Sequence, residues 1–418
     1  MKKYTGAMIV ATLVSYLISE FYPSLRIVTA TLAWAVPLLM WRSLGKSALQ
    51  QALLLLSIGF IAVLFSASKG VYLGWQQIFA VNLPLLAMFV AVAFLTLTNH
   101  AIEDPTLPKG NLAVVTTALG THFLGAVINL SILFVFGDRL QKNGTLTREQ
   151  MFVLARSFSA AAWWSPFFIA TGVALTYAPD MAWKETLVPG ILMSGLAIGY
   201  SVVEVSCIRK KEFSGYPIRF ESLLVPMFLA GVVVCVHHFW HGINILNLIC
   251  VVAPLGAFLF MKGRPRRAAL LDFVGKKILS VNSQFVLFLA AGVFSSGLKS
   301  LTYVYPEFFS LDAVEFSPLL FTVVLCGMIV VGFMGVHPLV SIAIVSPLLL
   351  PLHPDHSRLA FLFLCSWAVS TGSSPLSGVG LAMVSRYHAS PRQIIRSNYH
   401  YVIVMWLAAS LVNVLYFG

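Results

Sequence analysis

The chain has 418 residues, of which 59% are hydrophobic and only 10% charged, and its mean hydropathy is +0.88. A soluble globular protein carries about a quarter charged residues, so the composition excludes that class and predicts an all-α polytopic membrane protein. The net charge of +12 does not point to nucleic acid. The bases sit in short loops between apolar runs, as the positive-inside rule describes.

Met1-Lys2-Lys3-Tyr4 leads into a first apolar run at 5–21 with no small-residue cleavage site, which reads as a retained anchor. Further runs fall near 25–41, 49–66 and 79–98. A run at 112–137 follows, then 151–178, 186–206, 221–238, 242–261 and 282–298. The stretch 264–281 mixes bases with Leu270, Leu271, Phe273, Val274 and Ile278, and resembles an interfacial amphipathic helix. The last third holds 316–352, 359–384 and 400–417. The five cysteines lack CxxC spacing and suggest no metal or disulfide framework.

The basic loops Ile208–Arg219 and Lys262–Arg267 are expected in the cytoplasm, with Arg386, Arg392 and Arg396 in a third. Glu307, Asp312 and Glu315 mark an external segment. Counting from these loops, the run 112–137 begins and ends inside, and 316–352 begins and ends outside. Each is expected to be a re-entrant helical hairpin. At about 1.5 Å per residue, two arms of about 12 to 17 residues reach roughly the midplane. The alternative is one ordinary span beside a miscounted neighbour. The expected architecture is about 11 transmembrane helices plus two re-entrant hairpins. The N-terminus is expected in the cytoplasm and the C-terminus in the periplasm of a bacterial inner membrane.

The two hairpin candidates share a central pattern, Ala118-Leu-Gly-Thr-His-Phe-Leu124 and Phe333-Met-Gly-Val-His-Pro-Leu339. Some forty residues after each comes an apolar run broken at Ser-Pro: Ser157 to Ser165-Pro166 in the first, Ser366 to Ser374-Pro375 in the second. A serine lies eight residues before the Ser-Pro in both, followed by an aromatic. Duplication with opposite orientation is the mark of an inverted-topology repeat, with the site at the midplane between the copies.

This pattern resembles the ion transporter superfamily, and within it the divalent anion/sodium symporters. Gly120-Thr121-His122 and Gly335-Val336-His337 stand where that family has its hairpin-tip signatures, although its Ser-Asn-Thr tips are absent here. Pro166 and Pro375 stand where it breaks its fifth and tenth helices. The resemblance implies an elevator motion and a homodimer. Its division of the chain is scaffold at 1–108 and 207–315, and transport domain at 109–206 and 316–418.

The chemistry follows from these residues. An anion is expected to meet tip backbone N–H groups at Gly120, Thr121, His122, Gly335, Val336 and His337, where half-helix dipoles favour negative charge. Hydroxyls of Ser165, Ser370, Thr371, Ser373, Ser374 and Ser377, beside Gly372, add donors. The alternative for these serines is helix packing. Carbonyls freed beside Pro166 and Pro375 are candidate sodium ligands. His122 and His337 are candidate proton carriers, or else neutral rings satisfying backbone groups. Arg156 either attracts an anion or, as the favoured reading, snorkels to the interface. No resident metal or other cofactor is expected, only sodium or protons as coupling ions.

The sequence has no HExxH, no intramembrane Asp pair and no Cys–His nucleophile arrangement, so an enzyme is not expected. The expected function is a secondary active transporter of a small organic anion, a carboxylate, with the lipid bilayer as its other partner. The alternatives are a flippase for a lipid-linked substrate and the membrane subunit of a multi-component importer.

Overall fold

The structure is a computed structural model describing residues 2–98, 107–128, 130–209, 212–217, 220–240, 243–261, 265–309 and 315–418. Among these the regular structure is helical, with no β-strand and only two isolated bridges, Lys109 with Ser214 and Lys142 with Thr145. The first helices are α1 (Lys2–Ser19), α2 (Arg26–Leu39), α3 (Lys46–Ser68), the short α4 (Trp75–Phe79) and α5 (Leu83–Ala93). Next come α6 (Asn111–Ile128), α7 (Ser131–Leu140), α8 (Arg148–Ser159), α9 (Ile169–Tyr177) and α10 (Trp183–Val203). The middle of the chain forms α11 (Phe220–Phe239), α12 (Ile245–Phe260), α13 (Arg266–Gly275), α14 (Asn282–Val304) and α15 (Pro306–Phe309). The last are α16 (Pro318–Phe333), α17 (Pro338–Leu349), α18 (His356–Ser373), α19 (Gly378–Tyr387) and α20 (Pro391–Phe417).

Six of the described helical stretches are long and apolar enough to cross a membrane: Ala48–Ser68, Trp75–Thr98, Trp183–Arg209, Asn282–Val304, His356–Tyr387 and Pro391–Phe417. Shorter apolar helices accompany them. The apolar runs 112–137 and 316–352 are each two helices, α6 with α7 and α16 with α17. The run expected at 400–417 begins earlier, at Pro391, with Ser390 as the preceding cap. Arg392 and Arg396 are therefore helical rather than in a loop. Hydropathy alone cannot see a polar first turn that a proline at the first helical position starts.

Backbone contacts divide the chain into two compact units. Unit 1 is Met1–Thr98, Val232–Glu315 and Ile342–Pro354; unit 2 is Asn99–Gly231, Phe316–Ser341 and Asp355–Gly418. Residues 99–108 and 207–231 thus group with unit 2 and 342–354 with unit 1, whereas the division drawn from the sequence places 1–108 and 207–315 together and 316–418 with 109–206.

In unit 1 the central contact is α3 against α14. A β-carbon on Gly59 would stand 2.8 Å from the Phe294 backbone, and one on Gly297 would stand 2.5 Å from the Gly59 carbonyl oxygen. The two backbones touch because both positions lack side chains, the close approach that small residues permit between membrane helices. One turn along, the Ser300 and Ser66 hydroxyls meet at 2.8 Å. Asn82 precedes α5 and donates to the Phe288 carbonyl at 2.7 Å. Tyr16 on α1 donates to Asn247 on α12 at 2.5 Å. α13 turns Phe273 inward, 4.7 Å from the Phe94 ring.

In unit 2 the segment 212–217 lies along α6. The Tyr216 N–H donates to Thr117 Oγ1 at 2.7 Å, and Gly215 fits against the Ala113 carbonyl where a β-carbon would stand 2.5 Å away. A capping box at Thr147 and Gln150 starts α8, and the Gln150 amide also donates to the Ser214 carbonyl at 2.8 Å. α18 is the most enclosed helix, buried at every residue from Ser357 to Ser373. Its hydroxyls therefore face protein rather than lipid, the setting in which irregular polar backbone is tolerated at membrane depth.

Substituting Gly297→Val forces α3 and α14 apart. The expected loss is about 1–3 kcal/mol of stability, read as a lower thermal unfolding midpoint of the detergent-solubilised protein, whereas Gly195→Ala on α10, with open space around it, leaves the midpoint unchanged.

Candidate functional site

The site lies in unit 2, where two helices break at Ser-Pro. The first breaking segment runs α8, a 3-10 turn at Ala160–Trp163, then non-helical backbone before α9. The second runs α18, then non-helical backbone before α19. Proline supplies no N–H and disfavours helix in the residue before it, so Ser165-Pro166 and Ser374-Pro375 each open the backbone ladder.

The two breaks are closed by the same bonding scheme. Ser165 Oγ donates to the Ala126 carbonyl on α6 at 2.6 Å and accepts from the Phe167 N–H at 3.3 Å. Ser374 Oγ donates to the Gly332 carbonyl on α16 at 3.0 Å and accepts from the Leu376 N–H at 3.2 Å. The carbonyl of each serine is then taken by a downstream hydroxyl. Thr171 donates to Ser165 O at 2.7 Å, and Ser377 donates to Ser374 O at 2.9 Å. Ser377 also caps α19 by accepting from the Gly380 N–H at 3.0 Å. In each copy the break is thereby tied to the helix that precedes it by about forty residues.

These bonds divide the candidate hydroxyls into two groups. Ser165, Ser374 and Ser377 both donate and accept within the protein, and Ser373 donates back to the Val369 carbonyl. Their role is to satisfy freed backbone. Ser370 Oγ is different: it is buried and has no hydrogen-bond partner among the described residues, and the same holds for Ser366, Ser157, Ser159 and Thr121. The structure sets Ser370 against Gly332 and Ser159 against Gly372, where a β-carbon on Gly372 would stand 3.1 Å from Ser159 Cβ. A crevice of about 20 Å³ between α8 and α18–α19 is lined in part by Thr371, Gly372, Ser374 and Asn398. That is room for one water-sized species.

The two Gly-x-His motifs are not equivalent in space. Gly335, Val336 and His337 form the turn between α16 and α17, with Gly335 at φ +97°. A β-carbon there would stand 2.6 Å from Leu376 Cδ1, so this turn packs on the second break. His337 Nδ1 accepts from the Leu339 N–H at 3.2 Å, and its ring meets Trp367 edge-on at 5.3 Å. Gly120, Thr121 and His122 instead sit inside α6, which runs on to Ile128, and α7 starts at Ser131. The expectation of a hairpin tip at Gly120–His122 is corrected. The apolar pattern continues without a breaker past His122, so the helix runs on.

His122 is held by two bonds. Trp164 Nε1, which can only donate, reaches His122 Nε2 at 3.0 Å. Nε2 must therefore accept, and the proton sits on Nδ1, which donates to the Ser157 carbonyl at 3.1 Å. A second proton on the ring would face the indole N–H head-on. This bonding favours the neutral ring.

Arg156 overturns the snorkelling expectation, because it is fully buried. Its Nη1 meets Glu204 Oε2 at 2.6 Å, Nε donates to Asn398 Oδ1 at 2.8 Å, and Nη2 donates to the Ser397 carbonyl at 3.2 Å. The guanidinium lies 4.4 Å from the Tyr401 ring and 4.7 Å from Phe152, a cation–π setting. The second broken helix carries a parallel device: Arg358 Nε donates to Asn413 Oδ1 at 2.9 Å. Both asparagines belong to α20. The signal in the sequence was a glutamate at the end of the 186–206 run and asparagines in an otherwise apolar last helix.

No family model matches the sequence, and no curated protein matches it. Among solved structures the fold is similar to that of the Alcanivorax borkumensis YdaH transporter, described as having an unusual topology. The likeness has a TM-score of 0.57 at 14% identity, covering 87% of this chain and 97% of that one. At this identity the likeness is one of fold: the chain has the all-α polytopic fold of a membrane transporter.

Ser374→Ala strands the Gly332 carbonyl and the Leu376 N–H, and is expected to cost about 1–3 kcal/mol. Ser370→Ala removes a hydroxyl that no group in the described protein uses, and is expected to change stability by no more than about 0.5 kcal/mol. Guanidinium-chloride unfolding of the purified protein separates the two. Arg156→Met strands the Glu204 carboxylate on one side and is expected to cost about 3 kcal/mol or more, with part recovered when Glu204→Gln is added; thermal unfolding of the single and double variants checks this.

Proposed function

We propose that this protein is a secondary active transporter of elevator type for a small organic anion bearing a carboxylate, coupled to sodium or protons. The observation that carries the reading is the repeated closure of two Ser-Pro breaks within one compact unit, with the unpartnered hydroxyls of Ser157, Ser159, Ser366 and Ser370 on the broken helices. Duplicated broken helices are how transporters place half-helix ends at a substrate. Fold similarity to the YdaH transporter supports the same direction.

In this reading unit 2 is the transport domain and unit 1 the scaffold of a homodimer in a bacterial inner membrane, with the N-terminus in the cytoplasm. The substrate carboxylate meets the Gly335–His337 turn and the Ser370 hydroxyl. Sodium is the better supported coupling ion, because the two bonds at His122 favour a neutral ring. Carbonyls near Pro166 and Pro375 are the proposed ligands.

The test is uptake of labelled dicarboxylates into proteoliposomes under imposed sodium or pH gradients. Uptake stimulated by a sodium gradient, and reduced about tenfold by Ser370→Ala at unchanged stability, is expected. Uptake indifferent to both gradients would overturn the coupled transporter, and movement of a fluorescent lipid between leaflets in its place would assign a flippase.

A further inference from the structure

Away from the two breaks, unit 2 holds an open cavity of about 590 Å³ lined by Arg148, Arg209, Arg392, Arg396, His400 and Glu204, among others. Arg148 is the first residue of α8, Glu204 and Arg209 lie in the π-helical turn that ends α10, and the rest belong to the first turns of α20.

Four guanidinium groups thus line the cavity beside one carboxylate, which is already engaged, and Arg209 also stands 3.9 Å from the Glu149 carboxylate. Glu204 Oε2 is held by Arg156, and Oε1 takes bonds of 3.0 and 2.6 Å from Arg209 Nε and Nη2. Among the described residues Arg148, Arg392 and Arg396 form no ion pair, and Arg148 Nε is buried without a hydrogen-bond partner. Like charges gathered around a recess raise its potential and draw anions into it.

The backbone adds to this. α8 is capped by its own box, but Ser390, the cap of α20, makes no side-chain bond to that helix, and Pro391 has no N–H. The N–H groups of Arg392 and Gln393 thus have neither an intrahelical acceptor nor the cap side chain at the positive end of a 27-residue helix. A carboxylate would answer one guanidinium. A phosphate group, anionic and with several acceptor oxygens set tetrahedrally, matches guanidinium forks and a helix N-terminus together. We propose that this cavity is a binding site for a phosphate-bearing anion, distinct from the Ser-Pro breaks.

Two sources carry that chemistry: the headgroup of an anionic phospholipid and a free phosphorylated solute. The experiment uses the full-length protein in a neutral detergent, titrated separately with dihexanoyl phosphatidylglycerol, with pyrophosphate and with succinate, and followed by thermal unfolding and native mass spectrometry. At least one phosphate ligand is expected to raise the midpoint and to leave a retained adduct, weakening as salt rises. The double variant Arg392→Gln/Arg396→Gln, whose exposed side chains leave folding intact, is expected to bind it about tenfold more weakly. A response to the lipid alone assigns the headgroup, and a response to pyrophosphate as strong as to the lipid assigns a free anion. No response to either phosphate ligand, an equal response in the double variant, or succinate binding as tightly overturns the proposal.

Discussion

A backbone carbonyl or N–H left unpaired inside a bilayer costs several kcal/mol, and the site in unit 2 is organised around meeting that cost at two prolines. Pro166 and Pro375 each open a helix, and in each copy a serine hydroxyl spans the gap, donating to a carbonyl on an earlier helix and accepting from the N–H two residues on. Each stitch does local and long-range work with one oxygen. It repairs the broken segment and fixes it against α6 or α16. The neighbouring glycines make the fit possible, since Gly332 and Gly372 leave no β-carbon between the crossing elements.

A second constraint comes from charge. Arginine stays protonated at any physiological pH, so a buried one needs partners for its fork of donors. Arg156 finds a carboxylate, an amide oxygen, a carbonyl and aromatic faces, and Arg358 finds the amide oxygen of Asn413 and the face of Phe316. Both arginines stand on broken helices and both reach α20. Breaking a helix removes its own stiffness at the proline. The two side-chain ties to one unbroken helix restore a fixed register on either side.

Much of this was legible in the sequence because proline and hydropathy are local signals. The helix runs, the two Ser-Pro breaks and the paired apolar helices at 112–137 and 316–352 all follow from residues close to one another. The Gly-x-His motif misled because it matched by letters alone. His122 precedes the stitched carbonyl of Ala126 within one helix, whereas His337 follows the stitched carbonyl of Gly332 and lies in a turn. Two positions on opposite sides of equivalent points are not copies. Arg156 was misread for a different reason. Its partners Glu204 and Asn398 lie 48 and 242 residues away, and no window along the chain shows that a snorkelling arginine has somewhere better to go. Which serines are stitches and which are unpartnered was only partly legible, since the proline after Ser374 marks a break but the carbonyl its hydroxyl reaches, and the lack of a partner at Ser370 among the described residues, depend on what lies opposite.

The α20 ties bear on how the chain is made. When α8 first emerges from the ribosome, Glu204 follows soon, but Asn398 comes 242 residues after Arg156. Until then α8 carries a guanidinium whose full set of partners does not exist. The first broken helix therefore enters the membrane before it has its final surroundings, and its last bonds form only when α20 arrives. Assembly of unit 2 in that sense waits for α20, which is made after both broken helices and ties them in place.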